Sequence, residues 1–302
     1  MPLLSGGSLN EPAVRELSFS SAALDVAKGP PLIGHCSNPG CRTSWLQLFR
    51  QRTRPIFEAG WTCSRECTQA KLRLAVRREL DGRVQGQETH RHRIPLGLLM
   101  LEKGWISSQQ LRRAVETQRR SGVLRIGEWL IRQGATDEAL VTRALGLQWG
   151  CPVLSLSSGR LAGRHQLLPR LFVDAFGALP LQGYSGRILY LGFEQSVDPA
   201  LAFSVQRIQC ARVECGILQS SKFKDVLGST NNQSFNSVQL AEATSEFAAA
   251  HILAKSIERA HPISSRLVRV HEWLWLRMVL KSPALPEPMD AYTSDVLCRI
   301  RV

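Results

Sequence analysis

The sequence predicts an α+β multidomain chain, and three observations predict it. Four cysteines stand in two close pairs near the start, a segment of about thirty residues occurs twice in a row, and short apolar runs broken by helical stretches follow Cys151. At 302 residues with 44% apolar content, length gives a soft prior of about two domains, each able to bury a core. The fold class that emerges is a small zinc finger, a tandem helical-hairpin repeat followed by a βαββαβ two-layer unit, and a C-terminal helix plus β-hairpin.

Residues 1–34 are rich in Ser, Gly and Pro without a sustained period and read as a disordered lead. Residues 35–80 hold the cysteine cluster and a basic helical run, and 81–93 (DGRVQGQETHRHR) form a polar linker. The repeat fills 94–150. In the α/β subdomain, 151–227, PVLSL (152–156) reads as a strand and LLPRLFVDAFG (167–177) as a helix. ALPLQ and RILYLGF read as a hairpin turning at Gly183, Tyr184, Ser185 and Gly186, DPALAFSVQRI as a second helix and ARVECGILQ as a strand. A short helix then runs to Leu227. Residues 228–237 are a linker. The final unit, 238–302, opens with a helix over 238–260 whose Phe247, Ile252, Leu253 and Ile257 form a packing face. RLVRVHEWLWLRMVL then fits a hairpin turning near His271 and Glu272, with a further helix as the alternative.

The two copies read PLGLLMLEKGWISSQQLRRAVETQ from Pro95 and RIGEWLIRQGATDEALVTRALGLQ from Arg125. Gly97 matches Gly127, Gly104 matches Gly134, and Gln118 matches Gln148. Each copy is a helical hairpin: Gly104 or Gly134 supplies a left-handed stop, and Ser107 (with Gln110 as a capping box) or Asp137 starts the second helix. A repeat this short cannot close its own core, so the two copies should pack as one unit with two-fold character. Pro95, Arg125, Gly97, Gly127, Gln118 and Gln148 are less readily assigned to a core than the apolar positions. A glycine there permits close approach, either of a ligand or of another helix. Arginine suits guanine, because its planar fork meets O6 and N7 together.

On these residues the segment 93–227 resembles the N-terminal MshEN domain of type II secretion and type IV pilus extension ATPases. The resemblance implies a ligand site lined by Arg125, Gly127, Gln148, Gly97 and Gln118. Some members of that family bind cyclic di-GMP through both copies of the motif, and the ligand is itself two-fold. This sequence departs from the family where Pro95 replaces the first motif's arginine, which leaves Arg93 or Arg91 as substitutes. It also contains no G-x-x-x-x-G-K-[ST] and no Gly-Lys pair, so no P-loop holds triphosphate. The resulting expectation is a non-catalytic regulator or adaptor with a protein partner in secretion or pilus machinery, and no enzyme; the alternative on the same residues is a degenerate domain that only mediates protein–protein contacts.

Cys36, Cys41, Cys63 and Cys67 give C-x4-C, a 21-residue gap and C-x3-C. Two close thiolate pairs suit a structural Zn²⁺, with buried thiols and redox chemistry as the other readings. The segment resembles a treble-clef finger, whose last ligands read Cys-Ser-x-x-Cys at a helix start. Cys151, Cys210, Cys215 and Cys298 read as core thiols, with Cys210 and Cys215 on opposite sides of a strand. The net charge of +13, from 38 Lys+Arg against 25 Asp+Glu, allows a second reading, in which the finger and its Lys71, Arg73, Arg77 and Arg78 bind nucleic acid. A solvated basic face is the simpler account. The seven histidines show no spacing that pairs with a nucleophile. No stretch has the length of a membrane span and the N-terminus lacks a signal-peptide pattern, so the expected location is cytoplasmic.

Overall fold

Side chains on the last strands alternate between two separate cores, which places their sheet in the middle of the molecule. The computed structural model describes residues 36–41, 56–58, 60–82, 93–156, 161–163, 165–183, 188–229, 235–280 and 292–301. The expected lead, most of the 81–93 linker and residues 184–186 of the expected turn lie outside the described residues. The elements of the finger are β1 (Ile56–Phe57), β2 (Gly60–Trp61) and α1 (Arg65–Asp81). The repeat supplies α2 (Leu96–Glu102), α3 (Ser108–Ser121), α4 (Ile126–Arg132) and α5 (Glu138–Trp149). Then come β3 (Leu161–Gly163), α6 (Arg170–Phe176), β4 (Ala178–Gly183), β5 (Ile188–Phe193), α7 (Pro199–Gln209), β6 (Arg212–Ile217) and α8 (Ser220–Ser229). The last are β7 (Ser237–Ala243), α9 (Glu246–Ala260), β8 (Ser264–Val270), β9 (Trp273–Leu280) and β10 (Tyr292–Ile300).

One four-stranded sheet has the order β3-β4-β5-β6, the other β7-β10-β9-β8. In the second, Val268, Trp275 and Leu297 join a core with α6, α7 and the first sheet. Their neighbours Leu267, Leu274, Leu276, Val296 and Cys298 join a core with α1 and α9. This is the two-residue period of a strand buried on both faces. The repeat has its own small core of Leu99, Met100, Ile106, Ala114, Leu130, Val141 and Ala144.

Several expectations need correction. PVLSL is not a strand: Pro152 brings no N–H, and contact with β6 is a single parallel bridge between Val153 and Ile217. The first strand of that sheet is β3 instead. The helix expected over 167–177 starts only after Pro169, at its N-cap, because a proline ring clashes inside a helix. Residues 228–229 still belong to α8 and residue 237 opens β7, which shortens the 228–237 linker.

The helix expected over 238–260 is two elements. Residues 237–243 pair in parallel with β10, and α9 begins only after Ser245, whose hydroxyl accepts from the Ala248 N–H as an N-cap. Phe247 is 55% exposed and does not join the packing face, whereas Leu253 and Ile257 are buried. The hairpin turning at His271 is present, with His271 in the left-handed region at φ 52°. β10, unforeseen, lies inside the sheet between β7 and β9. Cys210 is exposed at the end of α7 rather than on a strand. Burial pushes the Cys151 thiol up to about 11 and Cys215 up to about 12, as apolar surroundings require.

Candidate ligand cradle and metal centre

Both copies of the repeat fold by the same local rules. Gly104 and Gly134 stand at φ 69° and 65°, where glycine avoids the Cβ penalty. After each stop the chain makes matched bonds, Trp105 N–H to the Met100 carbonyl and Ala135 N–H to the Leu130 carbonyl. Ser107 and Gln110 form the full capping box, and Asp137 caps α5 through the Leu140 N–H. These caps fix where the second helix of each hairpin begins.

Gly97 and Gly127 sit at equivalent close contacts. A Cβ on Gly97 would meet Leu111 Cδ1 at 2.5 Å, and one on Gly127 would meet Val141 Cγ1 at 2.9 Å and Leu96 Cδ2 at 3.3 Å. Leu111 and Val141 are matched positions, so both glycines are accounted for by close helix packing. The contact with Leu96 also brings the start of α2 against the start of α4.

The glutamines cross between copies. Gln118 Nε2 donates to the Leu124 carbonyl at 3.0 Å, and Gln148 Nε2 donates to the Ile94 carbonyl at 2.7 Å. Leu124 and Ile94 are themselves matched, each directly before its motif's opening residue. Each glutamine therefore pins the threshold of the other copy, an exchange expected of paired units related by approximate two-fold symmetry. Arg125 and Pro95 are the N-cap residues of α4 and α2. Arg125 is exposed. Arg93, also exposed, lays its guanidinium 3.5 Å from the Trp149 ring centroid. Trp149, directly after Gln148, was missed in the sequence, although its position beside the motif's closing residue was the available signal. Arg91 lies outside the described residues.

The four finger cysteines come together: their sulfurs all lie within 4.8 Å of one another, with Cys41–Cys63 and Cys63–Cys67 at 3.4 Å. A tetrahedral Zn–S shell of about 2.3 Å radius separates sulfurs by about 3.8 Å, so the cluster fits that ion. The local fold explains how. Ser64 caps α1 by accepting from the Cys67 N–H, which sets Cys67 in the helix's first turn. The Cys63 N–H donates to Cys36 Sγ and Asn38 Nδ2 donates to Cys67 Sγ, each at 3.3 Å. Such donors stabilise thiolates and orient ligands. Burial pushes the Cys36 thiol up, a cost that a cation among the sulfurs offsets.

The basic side chains of α1 are engaged within the chain. Lys71 Nζ donates to Ser37 Oγ at 2.9 Å and to the Phe57 carbonyl at 2.6 Å, and its pKa is lowered by burial. Arg73 stacks on Phe247 at 4.0 Å, Arg77 pairs with Asp81, and Arg78 clamps Glu58 through both terminal nitrogens. These contacts accord with a solvated basic face, on which Arg77 remains 73% exposed beside Asp81. Glu79, only 6% exposed, accepts two bonds of 2.7 Å from Arg207 on α7 and one of 3.2 Å from the Arg269 N–H. Burial alone would raise its carboxyl, but Arg207 and Arg78 hold it below the ordinary range.

No helix among the described residues is long and apolar enough to cross a membrane. No family model matches the chain. Two curated relatives, each a type IV pilus assembly ATPase PilB, match part of it. That of Thermus thermophilus is 37% identical over 97 residues, 32% of this chain and 11% of the relative. That of Myxococcus xanthus is 43% identical over 61 residues, 20% of this chain and 11% of the relative. The chain thus spans about a tenth of the length of these relatives. Among solved structures, one described as MshE with cdg is 28% identical, with a TM-score of 0.37, over 44% of this chain and 96% of that one. The N-terminal domain of XpsE is 18% identical, with a TM-score of 0.34, over 44% of this chain and 92% of that one.

Proposed function

We propose that this chain, which carries an N-terminal-type domain of the type II secretion and type IV pilus ATPases, is a non-catalytic regulator or adaptor of such a machine. Its ligand is cyclic di-GMP, held by the duplicated motif, and its cofactor is a structural zinc ion held by Cys36, Cys41, Cys63 and Cys67. The observation that carries the ligand reading is the exchange of glutamine bonds between copies, Gln118 to Leu124 and Gln148 to Ile94. It ties the two motif openings into one related pair, which suits a ring with two equivalent bases.

In this reading Gly97, Gly127, Gln118 and Gln148 build the cradle and Arg125 reads a base, its guanidinium matched to guanine O6 and N7. The zinc site has four thiolates and no open position, so its contribution is to hold the finger together. Binding would act on a protein partner of the machine. Ile94, just before α2, Leu98 on α2 and Leu147 on α5 are each about half exposed and offer it apolar side chains.

Isothermal titration of the full chain with cyclic di-GMP tests the reading. Saturable heat is expected, weakened by roughly 5- to 150-fold in Arg125→Ala, the equivalent of about 1–3 kcal/mol for a bidentate contact with guanine. Heat no greater than that of cyclic di-AMP, or equal binding by the variant, rejects it.

A further inference from the structure

The two halves of the cradle differ in chemistry at matched places. In sequence Leu124 is flanked by Val123 and Arg125 and its glutamine is followed by Arg119; Ile94 is flanked by Arg93 and Pro95 and its glutamine is followed by Trp149. Val123 is 82% exposed and carries no polar group. Its counterpart Arg93 holds its guanidinium carbon over an indole, 3.5 Å from the ring centroid. That indole ends α5 and packs against the core shared by α6 and α7, while Arg93 itself stays exposed.

We propose that Arg93, backed by Trp149, is the base-reading arginine of the first half and stands in for the side chain Pro95 lacks. The inference rests on the cyclic di-GMP reading above. A cation–π stack fixes the plane of a guanidinium that would otherwise swing freely, and leaves its outer face and its N–H edge for a purine. The layers from inside outward are core, indole, guanidinium and base. Gln148 holds the Ile94 carbonyl and adjoins Trp149, so one turn of α5 sets both the backbone next to Arg93 and the ring beneath it. Each half of the cradle then has one arginine, but the two bases of a symmetric ligand meet unlike subsites. One is read by Arg125 from a helix start, the other by an arginine two residues earlier, on an aromatic support.

Titration with cyclic di-GMP of the full, zinc-loaded chain and of Arg93→Ala, Arg93→Lys and the double variant Arg93→Ala with Pro95→Arg tests this. Arg93→Ala should weaken binding by roughly 5- to 150-fold with an unchanged thermal midpoint. Arg93→Lys should lose nearly as much, because it keeps the charge and loses the fork. The double variant should recover affinity by restoring an arginine at the motif's opening. Trp149→Phe should give an intermediate loss. If Arg93→Ala binds like the unmodified chain while Arg125→Ala is weakened, the inference fails and the cyclic di-GMP reading stands. If Arg93→Lys binds as tightly as the unmodified chain, the fork is irrelevant and the inference fails. No saturable heat from the unmodified chain overturns both.

Discussion

The helical repeat and the finger with its tail are built on different scales of sequence separation. Within the repeat, the polar bonds join residues 6 apart (Gln118 to Leu124), 16 apart (Gln133 to Thr117) and 54 apart (Gln148 to Ile94), and its longest outward bond among the described residues, Glu138 to Ser221, spans 83. The finger instead joins Ile56 to Ser265, 209 residues away, and Glu79 to Arg269, 190 away. Phe57, Leu72, Ala75 and Val76 from the finger share one core with α9 and the C-terminal sheet, so boundaries drawn near 80 and 238 separate two parts of one packed body. The two copies of the repeat bury a small core against each other through local helix contacts, and only Leu145 and Trp149 among their described apolar side chains also pack on the α/β core. A finger of this kind supplies a few apolar side chains and depends on a distant partner to bury them. A motif compact in sequence need not be an autonomous unit in space.

The zinc ion proposed for Cys36, Cys41, Cys63 and Cys67 carries the largest expected effect on this contrast. Structural zinc contributes on the order of 10 kcal/mol to small fingers, and α1 takes both its first-turn ligand, Cys67, and its core residues from the same seventeen-residue helix. Chelation of the full chain should therefore raise amide exchange in α1 and carry the loss on into α9 and β8. α3 and α5 should keep their protection, because their core contains no finger residue. Loss confined to residues 36–67, or loss that reaches α3 and α5, would show the two regions to be joined otherwise.

The same contrast decides what could be read from the amino-acid order. Caps and stops were legible: Ser107 with Gln110, Asp137, Gly104 and Gly134 each act within a turn of their position, so their chemistry does not depend on the rest of the fold. The cysteine pairs were legible because four thiols at short spacing admit few structures. The hairpin at His271 was legible from its two-residue period. β10 was not, since Tyr292–Ile300 becomes an inner strand only when β7 and β9 flank it, and its Asp295 looks like a solvent residue. In the structure Asp295 is fully buried, accepting from Trp275 Nε1 and from Arg277. β7 was hidden for a related reason: only its pairing to β10 makes Ser237–Ala243 a strand, and Leu240 remains exposed. In the cradle, spacing identified the special positions but could not say that Gly97 and Gly127 serve packing, a fact that needs Leu111 and Val141 in place.

A second test acts at the joint between α1 and α7. Glu79 is ionised and buried against Arg207, so Arg207→Ala should destabilise the chain by about 2–3 kcal/mol. This is less than the 3–5 typical of a stripped buried pair, because Arg78 and the Arg269 N–H remain. The carboxyl is held below its ordinary value in the folded state, so its contribution is fully present above the unfolded carboxylate pKa of about 4.3. It is lost as pH falls through the lower folded value. Urea unfolding between pH 7 and 3, followed by exchange in α1, should show a steeper acid loss for the unmodified chain than for Arg207→Ala. Equal slopes would mean that the pair does not hold the finger to α7.

The smallest effects separate the two copies of the repeat from each other. Alanine at either glycine gains helix propensity of about 1 kcal/mol and must make room for one methyl group. At Gly97 the obstacle is Leu111 Cδ1, the far end of a flexible, partly buried side chain that can rotate away. At Gly127 it is Val141 Cγ1, on a β-branched side chain stiff at χ1 and buried, with Leu96 closing the other side. Gly127→Ala should therefore cost about 1–3 kcal/mol through overpacking, while Gly97→Ala should fall within about 1 kcal/mol of neutral. Chemical denaturation with unchanged slope would report both. A reversed order would mean that the first hairpin is the more tightly packed of the two, and that Leu111 rather than Val141 is the fixed wall against which its glycine is needed.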